Sequence, residues 1–460
     1  MKVRQESDSI GVLEVPATAY YGVQTLRGHE NFNITGNVMS EEFVKNIVRI
    51  KKAAARVNAK HGYVPKEIAS AIMSACDEAL EGKFKDHFIT DAVQGGAGTS
   101  VNMNVNEVIA NRATELLGGK LGEYLCHPND HVNCSQSTND VIPTAGKLTA
   151  MELSKGLLAS LDALIKALRK KEVEFDGVIK MGRTQLQDAV PVRLGQEFGA
   201  YASMLERSRH RIVTSLEEVT EINLGGTAIG TSVNVGKGYL EDIASVLSHD
   251  LGYRLNTAEN LIDATQNVDC FASVSSSLRT CALGLSKMCN DLRLMSSGPK
   301  TGFNEIQLPA RQNGSSIMPG KVNPVIPEVV TQVAFLVAGN DVTIAMAVES
   351  GQLELNAFEP VIFYKLFESF KCLTNAMHTL RKNCIEGIVA NEARCLEFVE
   401  NSVGVVTALC PYLGYKKSAE IAKEALKKNV RVKDLILEYG LMDEEQLDEL
   451  LNPYLMTEPH

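Results

Sequence analysis

The stretch MELSKGLLASLDALIKALRK, residues 151–170, carries the pattern that decides the fold class. Its larger apolar residues recur at spacings of three and four: Leu157, Leu158, Leu161, Leu164, Ile165 and Leu168. Polar residues fall between them: Lys155, Asp162, Lys166 and Arg169. This 3.6-residue period predicts an amphipathic helix with one buried stripe.

Four further segments predict long helices: residues 195–222, 264–297, 326–349 and 360–386. In the first of these the buried side is marked by Phe198, Tyr201, Leu205, Ile212, Leu216 and Val219. Alternating strand patterns are rare, and Gly11–Val15 is the best candidate. A mostly α fold built around a helical bundle follows. Helices of this length span about 40 Å, and their wide apolar stripes predict that the bundle continues into partner chains.

The composition changes after residue 390 to short, charged helical pieces such as Ala419–Lys428 and Glu444–Leu451. We therefore predict three domains: an N-terminal helical domain (1–138), a central helical bundle (139–390) and a small C-terminal helical domain (391–460).

Charge and composition exclude several classes of protein. The chain has 46 Lys and Arg against 56 Asp and Glu, a net charge of −10 with no clustered basic stripe, which argues against nucleic-acid binding. The start lacks the apolar core of a signal peptide, and the longest apolar stretch, Val329–Asn340, is shorter than the roughly 20 residues of a membrane span.

The ten cysteines form no CxxC pair, which predicts reduced thiols and a cytoplasmic location. His127 and His131 flank Pro128 and Asn129, so we predict no metal site there.

Four polar stretches stand out between the predicted helices: Gln94–Ser100, Ser135–Asp140, Gly182–Asp188 and Gly314–Pro324. The first three are also typical of turns and helix caps. The fourth is not a nucleotide-binding loop, because five residues separate Gly314 from Gly320 and Val322 follows Lys321. Neutral hydroxyl and amide donors with one ammonium suit a small dicarboxylate. The serines have no clear His–Asp partner, which argues against acyl transfer.

The same stretches resemble the aspartase/fumarase superfamily. Gly314–Pro324, GSSIMPGKVNP, resembles its signature, and residues 19–25, 95–108, 137–140 and 182–191 match it in the expected order. Fumarases tend to carry His after the Arg-Thr pair and Thr-Gln-Cys after Asn-Pro, whereas Gln185 and Val325-Ile-Pro327 are similar to the aspartate ammonia-lyases. Fumarate hydratase, lyases acting on argininosuccinate or adenylosuccinate, and a non-catalytic, crystallin-like relative remain as alternatives.

The resemblance implies a three-domain fold whose central five-helix bundle joins three others in a twenty-helix core. Such a homotetramer would assemble each active site from three chains. The implied reaction is the reversible deamination of L-aspartate to fumarate and ammonia by anti-elimination through an aci-carboxylate intermediate. It requires no cofactor, although the resemblance allows activation by Mg²⁺.

The resemblance also implies roles for residues of the polar stretches. Ser315 would be the general base on a flexible loop, and backbone amides or a helix end would have to stabilise its alkoxide. Thr99, Ser137, Thr138 and Ser316 would donate to the carboxylate on which charge accumulates. Thr184, Lys321 and Asn323 would hold the other carboxylate, Asn139 would lie near the amino group, and Gln185 would complete the substrate-binding set. The general acid is not identified.

Overall fold

The computed structural model describes residues 2–452 and 454–458, and it is mostly helical, as the sequence predicts. The helices are α1 Val23–Asn31, α2 Glu41–Lys60, α3 Lys66–Leu80, α4 Thr99–Leu116, α5 Thr138–Glu174, α6 Leu194–Glu217, α7 Lys237–Leu251, α8 Asp263–Gln266, α9 Asp269–Met295, α10 Val325–Glu349, α11 Glu359–Asn383, α12 Glu392–Asn401, α13 Cys410–Leu413, α14 Tyr415–Lys428, α15 Val432–Glu438 and α16 Glu444–Leu450. The strands are β1 Val3–Ser7, β2 Val12–Pro16, β3 Ile179–Thr184, β4 Gln187–Arg193, β5 Glu221–Ile222, β6 Asn256–Thr257, β7 Ile306–Gln307 and β8 Val389–Ala390.

The five predicted long helices are confirmed as α5, α6, α9, α10 and α11. In α5 the predicted stripe is buried: Leu157, Leu161, Leu164 and Leu168 are fully inaccessible to solvent. Lys155, Asp162 and Lys166 are exposed on the other side of the same helix. The helix begins well before the predicted segment, at Thr138, and it includes Pro143 in its second turn.

Contacts divide the chain into two compact units. The first comprises residues 1–157, 210–280 and 336–372, and the second comprises residues 158–209, 281–335 and 373–460. Each long helix therefore contributes residues to both units. The three-segment division made from the sequence stays a prediction.

Within the first unit each of the five long helices contacts at least one of the others. The ring of Phe363 on α11 lies against Gly146 of α5, where an added Cβ would approach the ring to 2.2 Å. The same ring packs edge-on against Phe271 of α9 with ring centroids 5.0 Å apart. Two polar contacts complete the set: Ser275 on α9 donates to Asp341 on α10 at 2.7 Å, and Ser215 on α6 lies 3.1 Å from Ser277 on α9.

The second unit contains the β3–β4 hairpin and the C-terminal helices around a shared apolar cluster. Its fully or nearly fully buried members include Met181 from β3, Leu409, Ile421 from α14, Leu435 and Ile436 from α15, and Leu447 from α16. The predicted short helices near residues 419–428 and 444–451 are confirmed as α14 and α16.

Strands are short and occur in pairs. The predicted strand near Gly11–Val15 is confirmed as β2, which pairs antiparallel with β1 in the register Val3 to Pro16. The β3–β4 hairpin was not predicted, because Arg183–Asp188 interrupts any alternation of apolar and polar residues.

Helix α10 is apolar on more than one side. Val330, Ala334 and Val337 are buried, whereas Phe335, Val342 and Met346 are 65%, 58% and 67% exposed. The predicted twelve-residue apolar stretch is thus part of a 25-residue helix that, by length and composition alone, could cross a membrane. Core helices of water-soluble proteins pass the same test, and 39% of the apolar window is already buried.

Candidate functional site

The first group of predicted site residues lies where two helices of the first unit begin. Thr99 is the first residue of α4, and Ser137, Thr138 and Asn139 form the start of α5. Gly98 has a φ of +86°, and a Cβ there would come within 3.0 Å of Ile142 on α5. The glycine therefore allows the beginning of α4 to pack closely against the first turns of α5.

Asp140 fixes the turn that begins α5. One carboxylate oxygen accepts the backbone N–H of Ser137 at 2.9 Å, and the other accepts the N–H groups of Gly225 and Thr227 at 3.0 and 3.1 Å. Burial raises the pKa of Asp140 to about 6, against the opposing effect of these three amides and of Lys51. Asp140 is the last residue of the polar stretch Ser135–Asp140, but the sequence does not show that its carboxylate accepts these three backbone N–H groups.

The hydroxyl and amide groups of this first group have defined partners. Thr99 donates to the carbonyl of Gly96 at 2.7 Å, and Asn139 Nδ2 donates to the carbonyl of Ala228 at 2.8 Å. Thr138 Oγ1 accepts from Asn102 Nδ2 at 3.3 Å. Because these residues lie at helix N-termini, the local helix dipoles favour a bound anion.

Thr184 and Gln185 lie in the second unit, at the tip of the β3–β4 hairpin. Thr184 pairs with Gln187, so Gln185 and Leu186 form a two-residue turn. Both turn residues are exposed and have left-handed backbones, with φ of +54° and +63°. Two positive φ values are typical of a type I′ turn, which is usually built from Asn and Gly.

Ser315, Ser316, Lys321 and Asn323 lie on the loop Gly314–Pro324 of the second unit. The N–H of Gly314 donates to the carbonyl of Lys321 at 2.7 Å, and Asn323 Nδ2 donates to the carbonyl of Gly314 at 2.8 Å. A Cβ on Gly314 would lie 2.6 Å from the Lys321 carbonyl oxygen, so the loop closes on itself only with glycine there.

Ser315 is half-buried, and its side-chain oxygen accepts two backbone amides. The N–H groups of Ile317 and Met318 donate to Oγ at 3.2 and 3.0 Å. Ser316 and Lys321 are exposed, as is Ile317, which is 84% accessible. Donors directed at Oγ stabilise negative charge on that oxygen and so shift the equilibrium between hydroxyl and alkoxide toward the alkoxide.

The structure thus divides the predicted residues between the two units. Thr99, Ser137, Thr138 and Asn139 belong to the first unit, whereas Thr184, Gln185 and the four loop residues belong to the second. Within the second unit, Arg183 beside Thr184 donates to the buried Glu305 at 2.7 Å, and Glu305 precedes the loop in the chain.

The sequence did not indicate a buried polar cluster that adjoins Thr138. Lys51 on α2 is fully buried, and burial lowers its pKa to about 7. Its Nζ donates to Asn133 Oδ1, which also accepts from Asn102 and Asn106 on α4. Lys51 lies in the segment 47–55 beside Arg49 and Lys52, so the sequence offers no signal that separates it from an exposed lysine.

Three further polar side chains accept hydrogen bonds from backbone N–H groups: His127, His131 and Glu107. His127 Nδ1 accepts the N–H groups of Asn129 and Asp130, and His131 Nδ1 accepts the N–H of His127. Glu107 accepts the backbone of Gly22 and Thr25, and burial raises its pKa. Among residues 2–452 and 454–458, no group of three His, Cys, Asp or Glu side chains is placed to hold a metal ion.

Comparison with known proteins gives full-length matches. A family profile described as Lyase matches residues 11–339, and one described as Fumarase C C-terminus matches residues 405–458. A Bacillus protein named aspartate ammonia-lyase is 51% identical over 99% of this chain and 98% of its own length. The solved fumarate lyase:delta crystallin from Brucella melitensis, bound to cobalt, is 48% identical with a TM-score of 0.97 over 100% of both chains. The class II fumarase from Schistosoma mansoni is 37% identical with the same TM-score and full coverage of both chains.

Proposed function

Because this chain belongs to the aspartase/fumarase superfamily of lyases, we propose that it catalyses the reversible deamination of L-aspartate to fumarate and ammonia. The superfamily resemblance found in the sequence is confirmed, and the chain is a carbon–nitrogen lyase. The observation that carries the proposed mechanism is the Ser315 side chain, whose oxygen accepts two backbone amides on a glycine-closed loop.

The chemical step begins at the Ser315 oxygen. Its alkoxide takes a proton from the carbon beside the side-chain carboxylate of aspartate, and the C–H electron pair moves onto that carboxylate as an aci-carboxylate. The pair then forms the C=C bond of fumarate while the C–N bond breaks and ammonia leaves. The proton held by Ser315 returns to solution and balances the ammonium formed there.

Stabilising the aci-carboxylate is the largest demand on the site, because charge accumulates on a group that is already an anion. Ser137 and Thr138 would supply neutral donors at the start of α5, and Ser316 would add another from the loop. Thr99 would add a donor at the start of α4 by exchanging its hydrogen bond to the Gly96 carbonyl for one to the substrate. Since Asn139 Nδ2 already donates to Ala228, its Oδ1 is the atom available to accept from the substrate ammonium.

The second carboxylate of the substrate would be held by Thr184, Lys321 and Asn323. Lys321 is exposed on the loop and contributes the one full positive charge of the set. Asn323 keeps a second amide hydrogen beyond the one it donates to Gly314. Closure of the exposed loop over the substrate would bring Lys321, Asn323 and Ser315 to it and exclude water.

Gln185 favours ammonia over water as the leaving group. A glutamine amide does not titrate, so it can contact an ammonium group without competing for its proton. The fumarase from Schistosoma mansoni shares the fold at a TM-score of 0.97, so fold alone does not separate the two activities. Residue 185 and the segment after Asn323 carry the distinction.

A homotetramer would complete the site. The first and second sets of site residues belong to different units, which fits active sites assembled from three chains. Phe335, Val342 and Met346 are exposed at i, i+7 and i+11 on α10, so they share one face that a partner helix can cover. Four such bundles give the predicted twenty-helix core with three domains in each chain.

No organic cofactor is needed, and no step passes through a metal. Mg²⁺ activation would require ligands outside the described side-chain clusters, since no three-residue ligand group occurs among residues 2–452 and 454–458. All ten cysteines are free thiols, which suits a reducing, cytoplasmic location. The partners are the small dicarboxylates and ammonia, with neither nucleic acid nor membrane.

Incubation with fumarate, with and without ammonium, tests the proposed reaction. Aspartate should form only when ammonium is present, and the reverse reaction should release fumarate from aspartate. Malate formed without ammonium, at a rate matching aspartate synthesis, would instead identify a fumarate hydratase. Light scattering tests the assembly: a mass of four 50.0 kDa chains is expected, and an active monomer would refute shared sites.

A further inference from the structure

We propose that Asn102, held by Asn133 and the buried Lys51, is a positioning residue that turns the Thr138 hydroxyl into a hydrogen-bond donor toward the substrate carboxylate. The inference rests on the proposed function, because it assigns Thr138 to carboxylate binding. It concerns a hydrogen-bond chain that lies wholly within the first unit.

The chain of hydrogen bonds begins at the buried side chain of Lys51. Lys51 Nζ lies 2.8 Å from Asn133 Oδ1 and is buried among apolar residues of α2. On its other side, Asn133 Nδ2 donates at 3.1 Å to the backbone carbonyl of Gln136, which can only accept. This carbonyl fixes the orientation of the Asn133 amide, and its oxygen therefore faces Lys51.

The fixed Asn133 oxygen then orients two asparagines on α4. Asn102 Nδ2 and Asn106 Nδ2 lie 3.2 and 3.1 Å from Asn133 Oδ1. Both must present their NH₂ groups, since turning either amide over would place two oxygens face to face. Their own oxygens are buried and, among the described residues, have no hydrogen-bond partner. A buried acceptor without a partner destabilises the folded state.

The last hydrogen bond of this chain joins Asn102 to Thr138. Asn102 Nδ2 lies 3.3 Å from Thr138 Oγ1, and because Asn102 presents its NH₂ group here, the threonine oxygen is the acceptor. A hydroxyl has one hydrogen, so that hydrogen is left to point away from Asn102. Thr138 is half-buried at the first residue of α5, where a carboxylate would meet both the hydroxyl hydrogen and the helix N-terminus.

Asn106 provides a matched control for Asn102. Both asparagines are buried on α4 one turn apart, and both donate to the same Asn133 oxygen. Asn106 has a sulfur contact to Met103, whereas Asn102 reaches Thr138. A purely structural role in supporting α4 would make the two positions equally sensitive.

The test compares Asn102→Asp with Asn106→Asp in the full-length enzyme. An aspartate at 102 accepts from Thr138 and draws the hydroxyl hydrogen inward, so kcat/KM for L-aspartate should fall by about 10- to 100-fold. Asn106→Asp should lower it by less than about 3-fold. Asn102→Leu removes the polar group but does not accept the hydroxyl hydrogen of Thr138. Its kcat/KM should therefore be intermediate between those of Asn102→Asp and Asn106→Asp. Binding of fumarate, read from the rise in thermal midpoint, should follow the same order.

A Thr138→Val background separates positioning from simple charge repulsion. If Asn102 acts through the Thr138 hydroxyl, Asn102→Asp should change kcat/KM by less than about 3-fold once that hydroxyl is gone. A full-sized effect in the Thr138→Val background, or equal losses at positions 102 and 106, would overturn the inference. If Asn102→Asp does not assemble, Asn102→Leu in both backgrounds decides the same question. Failure of the wild-type enzyme to deaminate aspartate would instead refute the proposed function.

Discussion

Replacing Ser315 with alanine tests the central step of the proposed mechanism. The change removes one oxygen from an exposed loop and leaves the helix contacts of both units untouched. In the structure that oxygen accepts the N–H groups of Ile317 and Met318 at 3.2 and 3.0 Å. A hydrogen bond to a charged group is worth about 1.5 kcal/mol at its lower limit, so two at this half-exposed position favour the alkoxide by about 3 kcal/mol.

Loss of a general base typically slows turnover by about 10²- to 10⁴-fold, which corresponds to about 2.7–5.5 kcal/mol of activation free energy. We expect a fall in kcat of that size for Ser315→Ala, with KM for aspartate changed by less than about 3-fold because the carboxylate donors remain. Fumarate formation followed by its ultraviolet absorbance measures kcat and KM, and the thermal shift caused by fumarate measures binding.

Ser316→Ala is the matched control, since it removes the neighbouring hydroxyl from the same loop. It should lose a carboxylate donor and so lower kcat/KM, but by less than the loss at Ser315. Both variants should run as tetramers with the wild-type thermal midpoint. If Ser315→Ala keeps more than about a tenth of wild-type kcat, a change of only about 1.4 kcal/mol, Ser315 is not the base.

Three further outcomes are expected. Lys321→Ala should weaken binding of fumarate as well as turnover, by about 1.5–3 kcal/mol in a fumarate titration, because the charged partner of one carboxylate is lost; unchanged affinity would contradict that role. Burial lowers the pKa of Lys51 from 10.5 to about 7, so the unfolded chain binds one more proton between these values and stability rises with pH there. At fixed protein concentration, the thermal midpoint of the wild type minus that of Lys51→Met should therefore increase from pH 7 to pH 9. A difference that does not change with pH would refute the effect of burial on Lys51. Glu359 has a pKa held well above 4.5 by burial and, among the described residues, no hydrogen-bond partner for either carboxylate oxygen, so stability is lost as pH rises above 4.5. Glu359→Gln should melt at least about 2 °C above the wild type at pH 8, with a smaller gap at pH 5.

The long helices could be predicted from the sequence because their apolar residues repeat with a strong period. Leu157, Leu161, Leu164 and Leu168 are buried as the spacing requires. The start of α5 at Thr138 could not be predicted in the same way, because Gly146 and Pro143 break the pattern that identifies a helix. Gly146 is explained only by Phe363, more than two hundred residues later in the chain, which occupies the space of a side chain.

The polar stretches of the candidate site were predicted from their composition, and the roles of single residues from the superfamily resemblance. Thr138 and Ser315 lie at a helix start and on an exposed loop, and their contact with a substrate stays a prediction. Neither approach indicated Lys51, because a buried lysine has no sequence pattern that separates it from a surface lysine. Asn102 lies within residues 95–108, which resemble the superfamily, but its contact with Thr138 depends on how α4 packs against α5.

The two-residue turn at Gln185 and Leu186 has a consequence for how lyases of this fold diverge. Gln185 is exposed, so replacing it changes the free energy of unfolding little. Its left-handed φ of +54° is a conformation that histidine adopts more readily than most residues do. The backbone at this position therefore accepts either glutamine or histidine. A lineage can exchange the two by a single substitution that leaves the helical scaffold unchanged.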